Sequence, residues 1–302
     1  MKKRQLIESI PNFSEGRDLY KVERLVSAYR AKAGIRLLDY TTDAEHNRCV
    51  IIVVGEPEPL RLASLEAIRI AQEIIDMNNH VGKHPRIGCV DVMPFVPVCN
   101  VTLEEADQLA KSVAREAAEK YLQPVYLYEK SASAPHRADI AAIRKGQFEG
   151  LSEKMKDPMW IPDYGPATPH PTGGATIIGA RMPVIYYNIS LATSNLEIAR
   201  EIARRVRNVD GGLRYVKAMG ILSEEPGQTM VTMNLTDFTR SAMHTAFQLV
   251  KMEAAHYGVL VTGSEIVGYV PSQALINTAA YYLQMDSLEM EQVLEYNFDL
   301  EI

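Results

Sequence analysis

Apolar positions along the chain alternate between runs of period two and runs of period three to four, in a repeating order. Gln5–Ile10 predicts a strand and Leu19–Ala31 a helix. Ile35–Tyr40 and Cys49–Val54 predict two strands joined by the polar run TTDAEHNR, Thr41–Arg48. Leu60–Ile75 predicts a long helix with Ala63, Ala67, Ala71 and Ile74 on one face. Val90–Val98 predicts a strand whose Pro94 and Pro97 require an edge position or a bulge. A helix at Leu103–Tyr121 and a short strand at Val125–Tyr128 follow. The order then restarts with a strand at Val184–Leu191, a helix at Leu196–Val206, and strands at Val216–Leu222 and Met230–Leu235. A helix at Ala242–Tyr257, a strand at Val259–Thr262 and further helices close the chain.

Both halves therefore spell β-α-β-β-α-β, the split βαβ of ferredoxin-like domains. First and second strands start 30 residues apart in one half and 32 in the other; second and third start 14 apart in both. A doubly wound sheet needs a crossover helix after each strand, and here two strands in each half are joined by a turn alone. The expected fold class is α+β, with two ferredoxin-like subdomains side by side, residues 1–180 and 181–302. Their boundary is expected near Gly179–Met182, after the Pro/Gly-rich connector Asp157–Gly174.

Composition narrows the picture further. With 47% apolar and 23% charged residues, the 302-residue chain is globular rather than disordered or collagenous. A net charge of −6 argues against a dedicated nucleic-acid or membrane-surface binder. Cys49, Cys89 and Cys99 form no C-x-x-C pair, so neither a disulfide framework nor a zinc knuckle is encoded, and a reduced cytoplasmic protein is expected. Glu8 interrupts the basic start before any signal-peptide h-region forms. The uncharged stretch Ile266–Met285 contains Gly268, Pro271 and Asn277, which predict a buried strand-turn-helix rather than a membrane span.

Four segments break the core pattern and are candidates for chemistry. PNFSEGRD, Pro11–Asp18, reads either as a helix start capped by Ser14 or Asp18, or as part of a site. TTDAEHNR gathers Asp43, Glu45, His46, Asn47 and Arg48 in more residues than a hairpin turn needs. It is either a solvated loop or a polar cluster at the end of the sheet. NNHVGKHPRIG, Asn78–Gly88, presents His80, His84, Lys83 and Arg86. Gly82 and Pro85 oppose a helix, so the two histidines do not make a metal site, and no metal is expected. A histidine here could exchange a proton near neutrality. DYGPATPHPTGGATIIGAR, Asp163–Arg181, is neither a dinucleotide fingerprint nor a P-loop. Its glycines fit either close approach to a flat ligand or a tight interdomain linker.

At these segments the chain resembles the formiminotransferase family. The resemblance rests on PNFSEG, the LLD of the second strand, HPRIGxxDVxPFxPV (His84–Val98), PVYLY (Pro124–Tyr128), PDYGP (Pro162–Pro166), GGATIIGAR and GSEIVGYVP (Gly263–Pro271). It implies transfer of the formimino group of N-formimino-L-glutamate to N5 of tetrahydrofolate, a co-substrate, within two ferredoxin-like halves that form a cleft, as a homodimer. It places the catalytic proton acceptor at His84 and a folate-contacting stretch at Gly165, Pro166, Ala167, Thr168, Pro169, His170, Pro171, Thr172, Gly173 and Gly174. The resemblance ends with the chain at Ile302, so no cyclodeaminase region is expected.

Thr41 stands where animal members carry an aspartate, which leaves Asp39, Asp43 or Glu45 to assist His84. Arg48, Lys83 and Arg86, with His46 and Asn47, are the candidates for the donor's carboxylates, because guanidinium grips a carboxylate bidentately. A protonated formimino donor favours nearby carboxylates, whereas a formyl donor passes through an oxyanion that needs hydrogen-bond donors. Formyl transfer between glutamate and folate, and a non-catalytic folate-binding module, are the alternatives.

Overall fold

Alternating burial along Leu6–Ser9 (β1) and Arg48–Gly55 (β4) marks two inner strands of the first of two compact units, which divide between Arg181 and Met182. The structure, a computed structural model, describes residues 4–297. Between and after those strands run β2 (Asn12–Phe13), α1 (Leu19–Ser27), β3 (Ile35–Asp43), α2 (Pro57–Ile74), β5 (Val90–Cys99), α3 (Leu103–Tyr121) and β6 (Val125–Leu127). Two short helices, α4 (Ile140–Arg144) and α5 (Leu151–Lys154), precede β7 (Thr176–Ala180).

β1 and β2 are one strand in two pieces. Both pair antiparallel with β4 in continuous register and with β5 in a register that holds from Ile7 to Asn12, and the break falls at Ile10–Pro11, beside Pro94 of β5. Proline has no N–H to give a ladder, so the bonding lapses there. β3 closes one edge as a hairpin with β4; beyond β5 the sheet continues parallel through β7 to β6.

Of the edge position or bulge that Pro94 and Pro97 require, β5 shows the second: the strand is interior, with Asp91 an extra residue opposite the step Asn12–Phe13 and Val98 another beside Pro97. The Asp157–Gly174 connector is not an interdomain linker, because β7 follows it and lies between β5 and β6. All five β7 residues are buried, and a parallel strand covered on both faces carries no alternation to reveal it.

One face of this sheet packs on α1, α2 and α3, where Cys49, Ile51 and Val53 meet Leu25, Ile68 and Val113. The other face is covered at its β5–β7 end, where Val92 and Ile177 pack with Ile143, Leu151 and Met155 of the α4–α5 segment. At its β3–β4 end that face carries Asp39, Thr41 and Asp43, cross-strand partners of Ile52, Val50 and Arg48. These six are exposed or half-buried. The polar candidates of β3 and β4 therefore share the face opposite the helices.

The second unit comprises β8 (Ile185–Leu191), α6 (Leu196–Val206), β9 (Val216–Leu222), β10 (Thr229–Leu235), α7 (Met243–His256), β11 (Val261–Val267) and α8 (Ser272–Leu283). Its four strands are antiparallel in the order β11-β8-β10-β9, over a core that includes Ile189, Val231, Ile202 and Val250. β11 starts two residues later than expected and is an edge strand with little burial. The uncharged stretch read as a buried strand-turn-helix is largely exposed: of α8 only Ala274 and Ile276 are buried, while Leu275, Tyr281, Tyr282 and Leu283 face solvent. Lack of charge is not the same signal as burial. No helix among the described residues is long and apolar enough to cross a membrane.

Candidate active site

Three loops of the first unit converge beside β4: Pro11–Asp18, the β3–β4 turn, and the 78–88 loop between α2 and β5. Asn47 joins them. Its backbone takes a φ of +50°, tolerable for asparagine, and its side chain accepts from the Gly16 N–H (3.0 Å) and donates to the Val81 carbonyl (3.1 Å). Gly82 meets the same turn so closely that a Cβ there would lie 2.3 Å from the His46 carbonyl. Asn47 is buried, and its side-chain oxygen and nitrogen both hold the scaffold. Asp18 caps α1 by accepting from the Tyr20 and Lys21 N–H groups, and Ser14 bonds the Gly88 carbonyl at 2.7 Å.

The two histidines of the 78–88 loop differ. His80 is buried; Nε2 donates to the Asn47 carbonyl (2.9 Å) and Nδ1 accepts from Arg86 Nε (3.0 Å). Burial, the dominant influence, pushes its pKa down and keeps the ring neutral. Arg86 is equally committed. Nε bonds His80 Nδ1, the two N–H of Nη1 reach Gln147 and Glu149, and those of Nη2 reach the His80 carbonyl and Glu149. Arginine has five N–H donors, and all five are taken. In this arrangement no N–H of Arg86 is left over for a substrate carboxylate.

His84 lies instead against charged groups from two elements. Arg48 of β4 places Nη1 3.3 Å from Nδ1. Asp91 of β5 places Oδ2 3.4 Å from Nε2, within ion-pair reach although not aligned as a hydrogen bond. Asp91 is buried; its Oδ1 accepts from the Ile87 N–H and its Oδ2 from Arg144 of α4. Arg48 has no carboxylate within ion-pair distance among the described residues, so its charge is available to an anion.

The carboxylates expected to assist lie along the same sheet face. Asp43 stands opposite Arg48 in the strand register and accepts from the backbone N–H and Nδ1 of His46, the former chiefly holding its pKa low. Asp39 is exposed and accepts from the Tyr40 N–H. Glu45 and Lys83 form an exposed ion pair at 2.5 Å. The connector folds back on the 78–88 loop: the Thr172 carbonyl accepts from the Met77 N–H, that of Pro171 from Asn78, and that of Gly173 from the Cys89 N–H. Gly165, Pro166, Ala167, Thr168, Pro169, His170, Pro171 and Thr172 remain exposed or half-buried, whereas Gly173 and Gly174 are buried and shape the turn.

Asp91, Arg144, Gln147 and Glu149 were not candidates from the sequence. For Asp91 a signal existed, a lone acid inside an apolar strand. For the other three, in the turn RKGQFEG, nothing marked the long-range pairing.

Residues 6–181 match the model of the formiminotransferase domain, N-terminal subdomain, and residues 186–297 that of the formiminotransferase domain. The chain belongs to the formiminotransferase family. It is 42% identical to a glutamate formimidoyltransferase of Streptococcus pyogenes, over 96% of this chain and 98% of that protein. A second formiminotransferase relative, the glutamate formimidoyltransferase of Thermoplasma acidophilum, is 43% identical over 96% of each chain. A mouse formimidoyltransferase-cyclodeaminase is 40% identical over 94% of this chain, which spans 53% of that longer protein.

Proposed function

We propose that this chain transfers the formimino group of N-formimino-L-glutamate to N5 of tetrahydrofolate, releasing L-glutamate, with His84 as the proton acceptor. The end-to-end match to glutamate formimidoyltransferases carries the reaction. The pairing of His84 with an uncompensated arginine supports the site.

N5 of tetrahydrofolate is a secondary amine that loses a proton as it attacks the amidine carbon. The intermediate bears three nitrogens on one carbon, and it collapses towards product when the glutamate nitrogen gains a proton. A base near neutrality can take the first proton and return it in the second step. Arg48 takes a donor carboxylate, with Lys83 and His46 at the rim. Asp39 and Asp43, on the same face, favour the amidinium form of the donor. The accessible stretch Gly165–Thr172 contacts the folate, and holding both substrates together supplies much of the acceleration. Both units are ferredoxin-like in this proposal, supported by the equivalent strand orders β5-β1/β2-β4-β3 and β11-β8-β10-β9.

The test incubates purified protein with tetrahydrofolate and either N-formimino- or N-formyl-L-glutamate and follows glutamate release. Faster release from the formimino donor is expected. Faster release from the formyl donor overturns the donor assignment, and no release from either marks a binding module. His84→Ala should lower turnover about 10²- to 10⁴-fold with tetrahydrofolate binding little changed.

A further inference from the structure

We infer that Asp91 is a positioning residue that holds His84 with its proton on Nε2, making Nδ1 the nitrogen that exchanges protons with substrate. The inference rests on His84 being the proton acceptor, and it starts from a feature of β5. An extra residue in a strand re-aims one side chain, and such irregularities concentrate beside active sites. Here the extra residue is Asp91, buried in a strand otherwise apolar.

Two contacts fix the carboxylate before His84 is considered: the Ile87 N–H on Oδ1 at 3.1 Å and Arg144 on Oδ2. His84 Nε2 is buried, has no hydrogen-bond partner, and stands 3.4 Å from that same Oδ2. On the other side of the ring, Arg48 Nη1 is 3.3 Å from Nδ1. An arginine can only donate, so Nδ1 carries the lone pair and Nε2 the proton. Contacts of this kind tighten when substrates bind, and a small ring rotation brings Nε2–H onto Oδ2.

The N5 proton passes to Nδ1 as the N5–carbon bond forms, giving an imidazolium whose Nε2–H faces Asp91. The Nδ1 proton then passes to the glutamate nitrogen as its bond to carbon breaks, and His84 is restored. Arg144 on the shared oxygen opposes transfer of a proton to Asp91, which therefore orients the ring and stabilises its charge without relaying the proton. Arg48, Asp91 and Arg144 are the charged groups in contact with the ring or its carboxylate among the described residues.

The experiment records nitrogen-15 shifts of the seven histidines in the full chain without substrates, with His84 assigned by its loss in His84→Gln. Wild type should show the Nε2–H tautomer. Asp91→Asn should shift it towards Nδ1–H and lower kcat about 10²- to 10⁴-fold, with both KM values changed less than about threefold. Arg144→Met removes one of the two contacts that fix the carboxylate but leaves the carboxylate itself beside His84, so it should keep the tautomer and lower kcat less than Asp91→Asn does. An Nδ1–H tautomer in wild type overturns the inference. So does an Asp91→Asn protein with unchanged tautomer and kcat, or Arg144→Met losing as much kcat as Asp91→Asn. If the asparagine variant does not fold, the wild-type tautomer decides. Unchanged turnover in His84→Ala would instead refute the role of His84 itself, whatever its tautomer.

Discussion

His80 and His84 stand four positions apart in one loop, yet one is spent on the scaffold and the other faces the site. His80 is neutral because burial disfavours its charged form and because Arg86 already donates to its Nδ1. The unfolded chain takes up the proton near pH 6.5 and the folded chain resists it, so this stability is present above that pH and is lost as the pH falls through and below it. The thermal midpoint of wild type should therefore fall more between pH 7.5 and 5.5 than that of His80→Gln; equal falls would show that His80 does not titrate against folding. Arg48→Leu should raise KM for the formimino donor and leave the folate KM nearly unchanged, and the reverse pattern would place Arg48 on the folate side. The loop's concentration of histidines and cations was legible in the sequence. Which of them faced outward was not, because Asn47, Gln147 and Glu149, the partners that decide it, are 33 or more positions from the His80 and Arg86 groups they bond.

At the scale of elements, the strands and helices with one wet face could be read from their period, and Leu103–Tyr121 and Leu196–Val206 have the expected ends. β7 could not, being buried on both faces, nor could the split between β1 and β2, which depends on Pro94 lying opposite. The turn His170–Gly174 shows how loops are held to the sheet. Gly174 has a φ of +68°, and a Cβ there would lie 2.2 Å from the Ile87 carbonyl. Gly174→Ala should cost at least about 1–3 kcal/mol in urea unfolding. A stable alanine variant would mean that the turn can move away from Gly88. The cysteines report on the same packing. Burial pushes the thiols of Cys49 and Cys89 up to about 12, so at pH 8 the native protein should react with a thiol reagent at Cys99 alone, and at all three once unfolded.

Over the whole molecule, the repeated order of elements was the strongest signal, because each half restates the same spacing with its own apolar set. Each unit accordingly has a core of its own. Residues 182–302 expressed alone should melt cooperatively with mixed helix and strand signal; a chain without a transition would mean that its core needs the first unit. What the repeat could not reveal is the asymmetry between the halves, since the α4–α5 segment, β6 and β7 are additions to the first unit only.

The contact between Arg48 and His84 bears on the order of events in turnover. If His84 is the base and Arg48 the donor's site, as proposed, the lone pair stays capped until an anion draws the guanidinium away, and tetrahydrofolate arriving alone meets no base able to deprotonate it. On that reading the donor, which brings the carboxylates, uncaps it. Initial-velocity and product-inhibition patterns should then be those of a compulsory sequence with the amidine donor first and glutamate leaving last, whereas random addition would mean that the cap is open at rest.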